Sequence, residues 1–199
     1  IRGSPVTGVQ TCALPIYDLI IVSDVDEIPN LEENDLSKIS KKLIHFKQKM
    51  YYYKFNLKYN LKPWFGSKAC LKKNLILPQW LRDTKERKYP LWRLDVFFSK
   101  MKYNSIYHVE NGGWHFSNVK SPEGIMKKLK NYGHHWEFNA SGLNLNDIKK
   151  MVNDKRACYD FSADMKSSKW SGNPKLLKCD LSEMPKYIIK NQNKYSNWL

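Results

Sequence analysis

The sequence predicts an α/β fold in a single domain, and three observations carry that expectation. Leu19–Val22 is a short unbroken apolar run, β-branched at three of four positions, with the carboxylates Asp24, Asp26 and Glu27 standing at its carboxyl end. Met50–Leu61 is crowded with Tyr51, Tyr52, Tyr53, Phe55 and Tyr59, a composition that favours a strand. Apolar residues spaced three and four apart, and a Ser-Pro-Glu start signal at 121–123, mark helices among the strands. A chain of 199 residues, 42% hydrophobic and 14% aromatic, is long enough to bury a core in one domain.

Leu19, Ile20, Ile21 and Val22 read as a strand buried on both faces, the pattern of an inner strand in a parallel sheet. Pro29 then stops regular structure. In open α/β sheets ligands bind beyond the carboxyl ends of the strands. Asp24 and Asp26 alternate in an extended chain, so both can face one hard, oxygen-seeking ion such as Mg²⁺ or Mn²⁺. A solvated acidic loop is the alternative for a bare Asp-x-Asp.

Asn34–Lys49 is predicted as a helix, with Leu36, Ile39, Leu43 and Phe46 at helical spacing and Asn34 or Asp35 as its cap. Met50–Leu61 is the next strand, whose tyrosines either pack in the sheet or stack on sugar rings. Lys62–Lys68 reads as a turn in which Trp64 and Gly66 line a cleft, and Ala69–Leu77 as a second strand. Trp80–Leu94 is polar and basic. Any of Arg82, Arg87 and Arg93 in it can clamp a diphosphate leaving group or simply lie on the surface. Asp95–Phe98 and Ile106–Val109 are predicted as short strands.

A second informative stretch runs from Glu110 to Leu129. Gly112 and Gly113 permit positive φ and close backbone approach, and Trp114 and His115 follow at once. Ser121 is an N-cap, Pro122 fits the first helical turn, and Glu123 is favoured there by the helix dipole whatever else it does. His134, His135 and Glu137 either join the same cleft or end the helix. A short helix is predicted for Leu145–Val152, a loop-rich stretch for Asp154–Pro174, and an amphipathic segment for Pro185–Leu199.

Formal net charge is +15, which invites a nucleic-acid partner. The basic residues are nevertheless dispersed through amphipathic segments, and no zinc finger or RNP box is present, so no specific nucleic acid is expected. No apolar run approaches the roughly 20 residues of a membrane-spanning helix. A phosphatase with an aspartyl nucleophile is also disfavoured, because Glu27, Ile28 and Pro29 follow Asp26 in place of a hydroxyl residue. Val6–Ile16, VTGVQTCALPI, match the translation of a common sequencing-library adapter, and residues 1–16 are expected not to be native. Cys12 then leaves the inventory, and Cys70, Cys158 and Cys179 are expected as core or free thiols rather than a disulfide framework.

The blocks SDVDEIP (23–29), GGWHFS followed by PEGI and KL (112–129), and PKYIIKN (185–191) resemble glycosyltransferase family 17 and occur in that family's order across Tyr17–Leu199. The resemblance implies a GT-A-like, Rossmann-like nucleotide-diphospho-sugar transferase fold whose first strands, which hold the uridine, are missing. It also implies an inverting transfer of N-acetylglucosamine from a UDP-GlcNAc donor to a glycan acceptor hydroxyl, with Mn²⁺ or Mg²⁺ as cofactor. Carried onto this chain, Asp24, Asp26 and His115 hold the metal. Asp24, Asp26, Glu27 and Trp114 bind the donor, and Glu123 with Asp26 are the catalytic carboxylates. The segment around His134–Asn144 departs from the animal enzymes, so the acceptor is not implied. Any membrane anchor is expected only in the missing N-terminal part. A catalytically silent carbohydrate-binding protein of the same fold is the alternative.

Overall fold

Two long strands, β3 (Leu43–Tyr52) and β4 (Leu57–Leu71), are neighbours in one sheet. The computed structural model describes residues 15–32, 34–36, 39–86, 89, 92–99, 101–102, 105–132, 135–163 and 169–199, the side chains of 96 and 97 excepted. It is mixed α/β, and the chain divides into two units. The first comprises Ile1–Gln48 and Phe65–Gly113, the second Lys49–Trp64 and Trp114–Leu199.

In the first unit β1 (Leu19–Val22) pairs antiparallel with β4, in the register Leu19↔Leu71 to Val22↔Lys68. β5 (Ile106–Val109) pairs parallel with β3, from Leu43↔Ile106 to Phe46↔Val109. The alternation of side chains along these strands sorts the apolar ones into two clusters. Leu43, Cys70, Leu81 and Ile106 gather on one side with Val22, Leu75 and Trp80, beneath the helix α1 (Pro78–Asp83). Ile44, Phe46, Ala69 and Val109 gather on the other with Leu19, Ile21, Leu36 and Ile39. A short strand β2 (Glu27–Pro29) lies beside Gly112, whose carbonyl accepts the Asn30 N–H at 3.0 Å. Gly113 adopts φ +114°, and a side chain there would fall on the Ile28 carbonyl oxygen. The positive φ expected of the glycine pair is therefore used, and its purpose is close backbone packing.

In the second unit β6 (Gly113–Ser117) runs parallel to the end of β3, from Lys49↔Trp114 to Tyr52↔Ser117, and β7 (Leu177–Lys178) closes on the start of β4. Three helices follow β6: α3 (Pro122–Asn131), α4 (His135–Ala140) and α5 (Leu145–Asn153). Their buried faces, Ile125, Leu129, Phe138, Ile148 and Met151, pack with Tyr52, Tyr53 and Tyr59 in one core. α3 begins as expected, with the Ser121 hydroxyl accepting the Gly124 N–H at 3.2 Å and Pro122 in the first turn. α5 starts on a capping box between Asn144 and Asp147. The tyrosine row thus serves sheet packing. A short helix, α6 (Lys186–Lys190), and a 3-10 helix (Gln192–Trp198) form the end of the chain.

Several expectations are corrected. β1 is antiparallel to its neighbour rather than an inner parallel strand, and its apolar run is explained by clusters on both faces. The helix expected over Asn34–Lys49 gives way to β3 from Leu43 onward. His45 and Ile44, which break the helical stripe, are both buried there, as only an extended chain covered on two sides allows. The turn expected at Lys62–Lys68 is strand, and β4 ends at Leu71 rather than Leu77. Pro63 is tolerated within β4 because Asn60–Pro63 is exposed. Asp95–Phe98 forms a single helical turn, α2, instead of a strand. Cys70, Cys158 and Cys179 are free thiols. Among the described residues no helix is long and apolar enough to cross a membrane.

Candidate functional site

The acidic residues occupy a tight turn between β1 and β2, and neighbouring side chains hold that turn in shape. The Glu27 N–H donates to the Asp24 carbonyl at 3.0 Å, and the Glu27 carboxylate accepts the Asp24 N–H at 3.0 Å. Ser23 donates its hydroxyl to the Glu27 carbonyl at 3.1 Å and meets the Ser67 hydroxyl at 2.6 Å. Ser67 in turn accepts from the Gln48 amide at 2.9 Å. Since Val22 pairs with Lys68, the antiparallel ladder brings Ser23 beside Ser67 and carries the acidic turn toward α1.

Arg82 in the last turn of α1 ion-pairs with Asp24, Nη2 to Oδ2 at 2.8 Å, and this contact raises the guanidinium pKa. The backbone of Arg82 is held from beneath. The buried Lys68 ammonium donates to the carbonyls of Arg82 and Thr84, at the helix end where the dipole favours a cation. Burial lowers the Lys68 pKa, and the charge of Glu27 acts against that shift. Deeper in the same unit, His45 is fully buried with Nε2 2.9 Å from the Thr84 hydroxyl. That hydroxyl donates its proton to the Leu81 carbonyl at 2.7 Å, so His45 is the donor and carries its proton on Nε2. Burial first, then Lys68 and His108, push the His45 pKa down to about 3, so it is neutral under ordinary conditions.

Asp24 and Asp26 are both half-buried. Glu27, expected among the donor-binding residues, is buried, and one of its carboxylate oxygens accepts the Asp24 N–H, so it positions the turn. Among the described residues no group of three or more His, Cys, Asp or Glu is arranged to hold a metal. Two carboxylates on one turn nevertheless suit a hard cation of the Mg²⁺ type, which commonly takes one or two carboxylates and completes its shell with water and substrate phosphates.

The remaining candidates belong to the second unit. His115 in β6 is buried and stacks on Trp64, with ring centroids 4.6 Å apart and planes 15° from parallel. Trp114 donates its indole N–H to the Glu183 carbonyl at 2.6 Å and packs with Tyr51, Phe116, Met184 and Ile188. Glu123 is exposed in the first turn of α3, paired with Lys149 at 3.0 Å. Its pKa is lowered by its own backbone N–H and then by Lys149. Asp24, Asp26 and Glu27 lie in the first unit, and Trp114, His115 and Glu123 in the second. Of the three candidate arginines, Arg93 is forked onto Asp95 at 2.8 and 3.2 Å, while Arg82 reaches the acidic turn. Residues 1–14, Arg87 and His134 lie outside the described residues. His135 is exposed, with Nδ1 3.1 Å from the Tyr132 carbonyl, and Glu137 is half-buried.

Sequence reasoning passed over Ser23, Gln48, Ser67, Lys68 and Thr84. One signal was available: a lysine immediately before the run Ala69-Cys70-Leu71 places an ammonium in a buried strand. Fold and site together define a mixed α/β protein with an acidic turn at the carboxyl end of β1, braced from inside and paired to an arginine. Compared with family models, with curated proteins and with solved structures, the chain matches none.

Proposed function

We propose that the chain is a divalent-cation-dependent glycosyltransferase domain of the family 17 type, moving N-acetylglucosamine from a UDP-GlcNAc donor to a glycan hydroxyl. The observation that carries this reading is the turn holding Asp24 and Asp26 directly after β1, with Glu27 bracing it and Arg82 at 2.8 Å from Asp24. Its GT-A-like fold and its Mn²⁺ or Mg²⁺ ion belong to the same proposal.

In this reading Asp24 and Asp26 hold the ion, and His115 is its third candidate ligand. When bound, the ion offsets the negative charge that grows on the diphosphate as the sugar–phosphate bond breaks. The acceptor oxygen attacks the anomeric carbon from the opposite face, the bonding electrons leave with the diphosphate, and a carboxylate takes the hydroxyl proton. Glu123 is the candidate acceptor. As an exposed carboxylate it is ionised at neutral pH, as a base must be at the outset, and it must leave Lys149 to act.

Titration calorimetry with Mn²⁺, followed by UDP-GlcNAc, tests the reading on the wild type and Asp26→Ala. Loss of metal-dependent donor binding in the folded variant supports it. Equal binding by both removes the acidic turn from the site. Metal-dependent sugar binding without transfer would favour a carbohydrate-binding protein of the same fold.

A further inference from the structure

We propose that Arg82 is a phosphate-binding side chain that Asp24 holds in reserve, and that a divalent cation arriving at Asp24 releases it toward the diphosphate. The inference rests on the reading of the acidic turn as a cation site and adds its regulation.

The geometry supports an exchange. The Arg82–Asp24 pair is short at 2.8 Å, yet both side chains are near half exposed, at 51% and 43%. Pairs of this kind are weak in water and screened by salt, so a divalent cation competes for the carboxylate on favourable terms. The backbone of Arg82 is fixed independently, because Lys68 binds its carbonyl and that of Thr84 from inside the fold. Freeing the guanidinium therefore needs only a side-chain rotation, and the group stays above the turn it left. A guanidinium fork matches phosphate oxygens bidentately, which an ammonium does not. Among the described cations of this unit, Lys68 is committed to those carbonyls and Arg93 to Asp95.

Reciprocity between sites sets an unusual signature. Without phosphate, Arg82 competes with the cation. With phosphate present, it assists. Removing the guanidinium must then move the two affinities in opposite directions. The test compares wild type, Arg82→Gln and Arg82→Lys, each confirmed folded by circular dichroism, for binding of Mn²⁺ alone by electron paramagnetic resonance and of UDP at saturating Mn²⁺ by calorimetry. Arg82→Gln is expected to bind Mn²⁺ alone ~2–5-fold more tightly, the size of a lost exposed ion pair. The same variant is expected to bind UDP roughly 10–100-fold more weakly, the size of a lost charge-assisted contact. Arg82→Lys keeps the competition with Mn²⁺ while losing most of the UDP affinity. If the wild type binds Mn²⁺ but Arg82→Gln leaves both affinities unchanged or shifts both the same way, or if the wild type at saturating Mn²⁺ binds neither UDP nor inorganic pyrophosphate, the exchange is refuted and the cation site stands. Absence of Mn²⁺ binding in all three proteins overturns the cation site and the exchange with it.

Discussion

Acidification should destabilise this protein in part through one buried residue, His45. The folded ring is neutral, with a pKa of about 3 against an ordinary value of 6.5, because it is fully buried beside Lys68 and His108. A group whose folded pKa lies below its unfolded one contributes stability that is fully present above the unfolded value. That stability is lost as pH falls, since only the unfolded chain takes up the proton. Between pH 6.5 and 3 the slope for one such proton is about 1.4 kcal/mol per pH unit, so falling to pH 4.5 costs roughly 2–3 kcal/mol from His45 alone. For a domain of ordinary stability, roughly 5–15 kcal/mol, that loss is large. The assay is urea unfolding at pH 7.5, 5.5 and 4.5, followed by tryptophan fluorescence, on the wild type and His45→Gln. The glutamine amide can still donate to the Thr84 hydroxyl but does not titrate. Carboxylates and the other histidines contribute to both proteins and cancel in the comparison. The stability of the wild type should therefore fall more steeply than that of the variant, with the gap between them changing by about 2–3 kcal/mol across the range. Parallel curves would show that His45 does not discourage protonation of the native state, and the assignment of a neutral buried ring would fail.

Two further outcomes follow from the packing. Gly113→Ala should cost at least about 3 kcal/mol in urea unfolding, because φ is +114° and the new methyl falls on the Ile28 carbonyl, whereas Gly124→Ala in α3 should be neutral or stabilising by up to ~1 kcal/mol. Glu27→Ala should cost about 1–3 kcal/mol by leaving the Asp24 N–H without its acceptor. The same variant should also weaken Mn²⁺ binding in calorimetry, because Glu27 holds the backbone of Asp24; unchanged affinity would mean that Glu27 does not shape the turn.

The elements legible in the sequence are those whose cause is local. Ser121 and Pro122 start α3 by satisfying N–H groups and backbone angles within four residues, and Gly113 marks a positive φ that other residues resist. Where tertiary burial decides, local pattern misleads. Leu36, Ile39, Leu43 and Phe46 keep helical spacing, but Leu36 stands in a 3-10 turn, Ile39 in a loop and the other two in a strand, and all but Leu43 pack in one cluster. Pro63 and Gly66 argued for a turn, yet β4 carries the proline where it is exposed and has no need of its missing N–H.

The candidate site divides along the same line. Two acids at the end of an apolar strand could be read directly, and so could three arginines further on. Choosing Arg82 required the antiparallel register Val22↔Lys68, which brings residues about sixty apart in sequence into contact. Glu27 read as a donor-binding residue because sequence conveys charge and not direction; one of its carboxylate oxygens accepts the Asp24 N–H three residues earlier. The Gly-Gly-Trp-His stretch holds the sharper lesson. Its glycines are required by Ile28 and Lys47, whose backbone approaches leave no room for a side chain, and its tryptophan by the Glu183 carbonyl and the surrounding apolar residues. Each of those three positions has a sufficient structural cause, so the ligand role there rests on His115 alone. Substituting His115 while leaving its glycine and tryptophan neighbours in place is accordingly the variant that can separate cation binding from packing in this stretch.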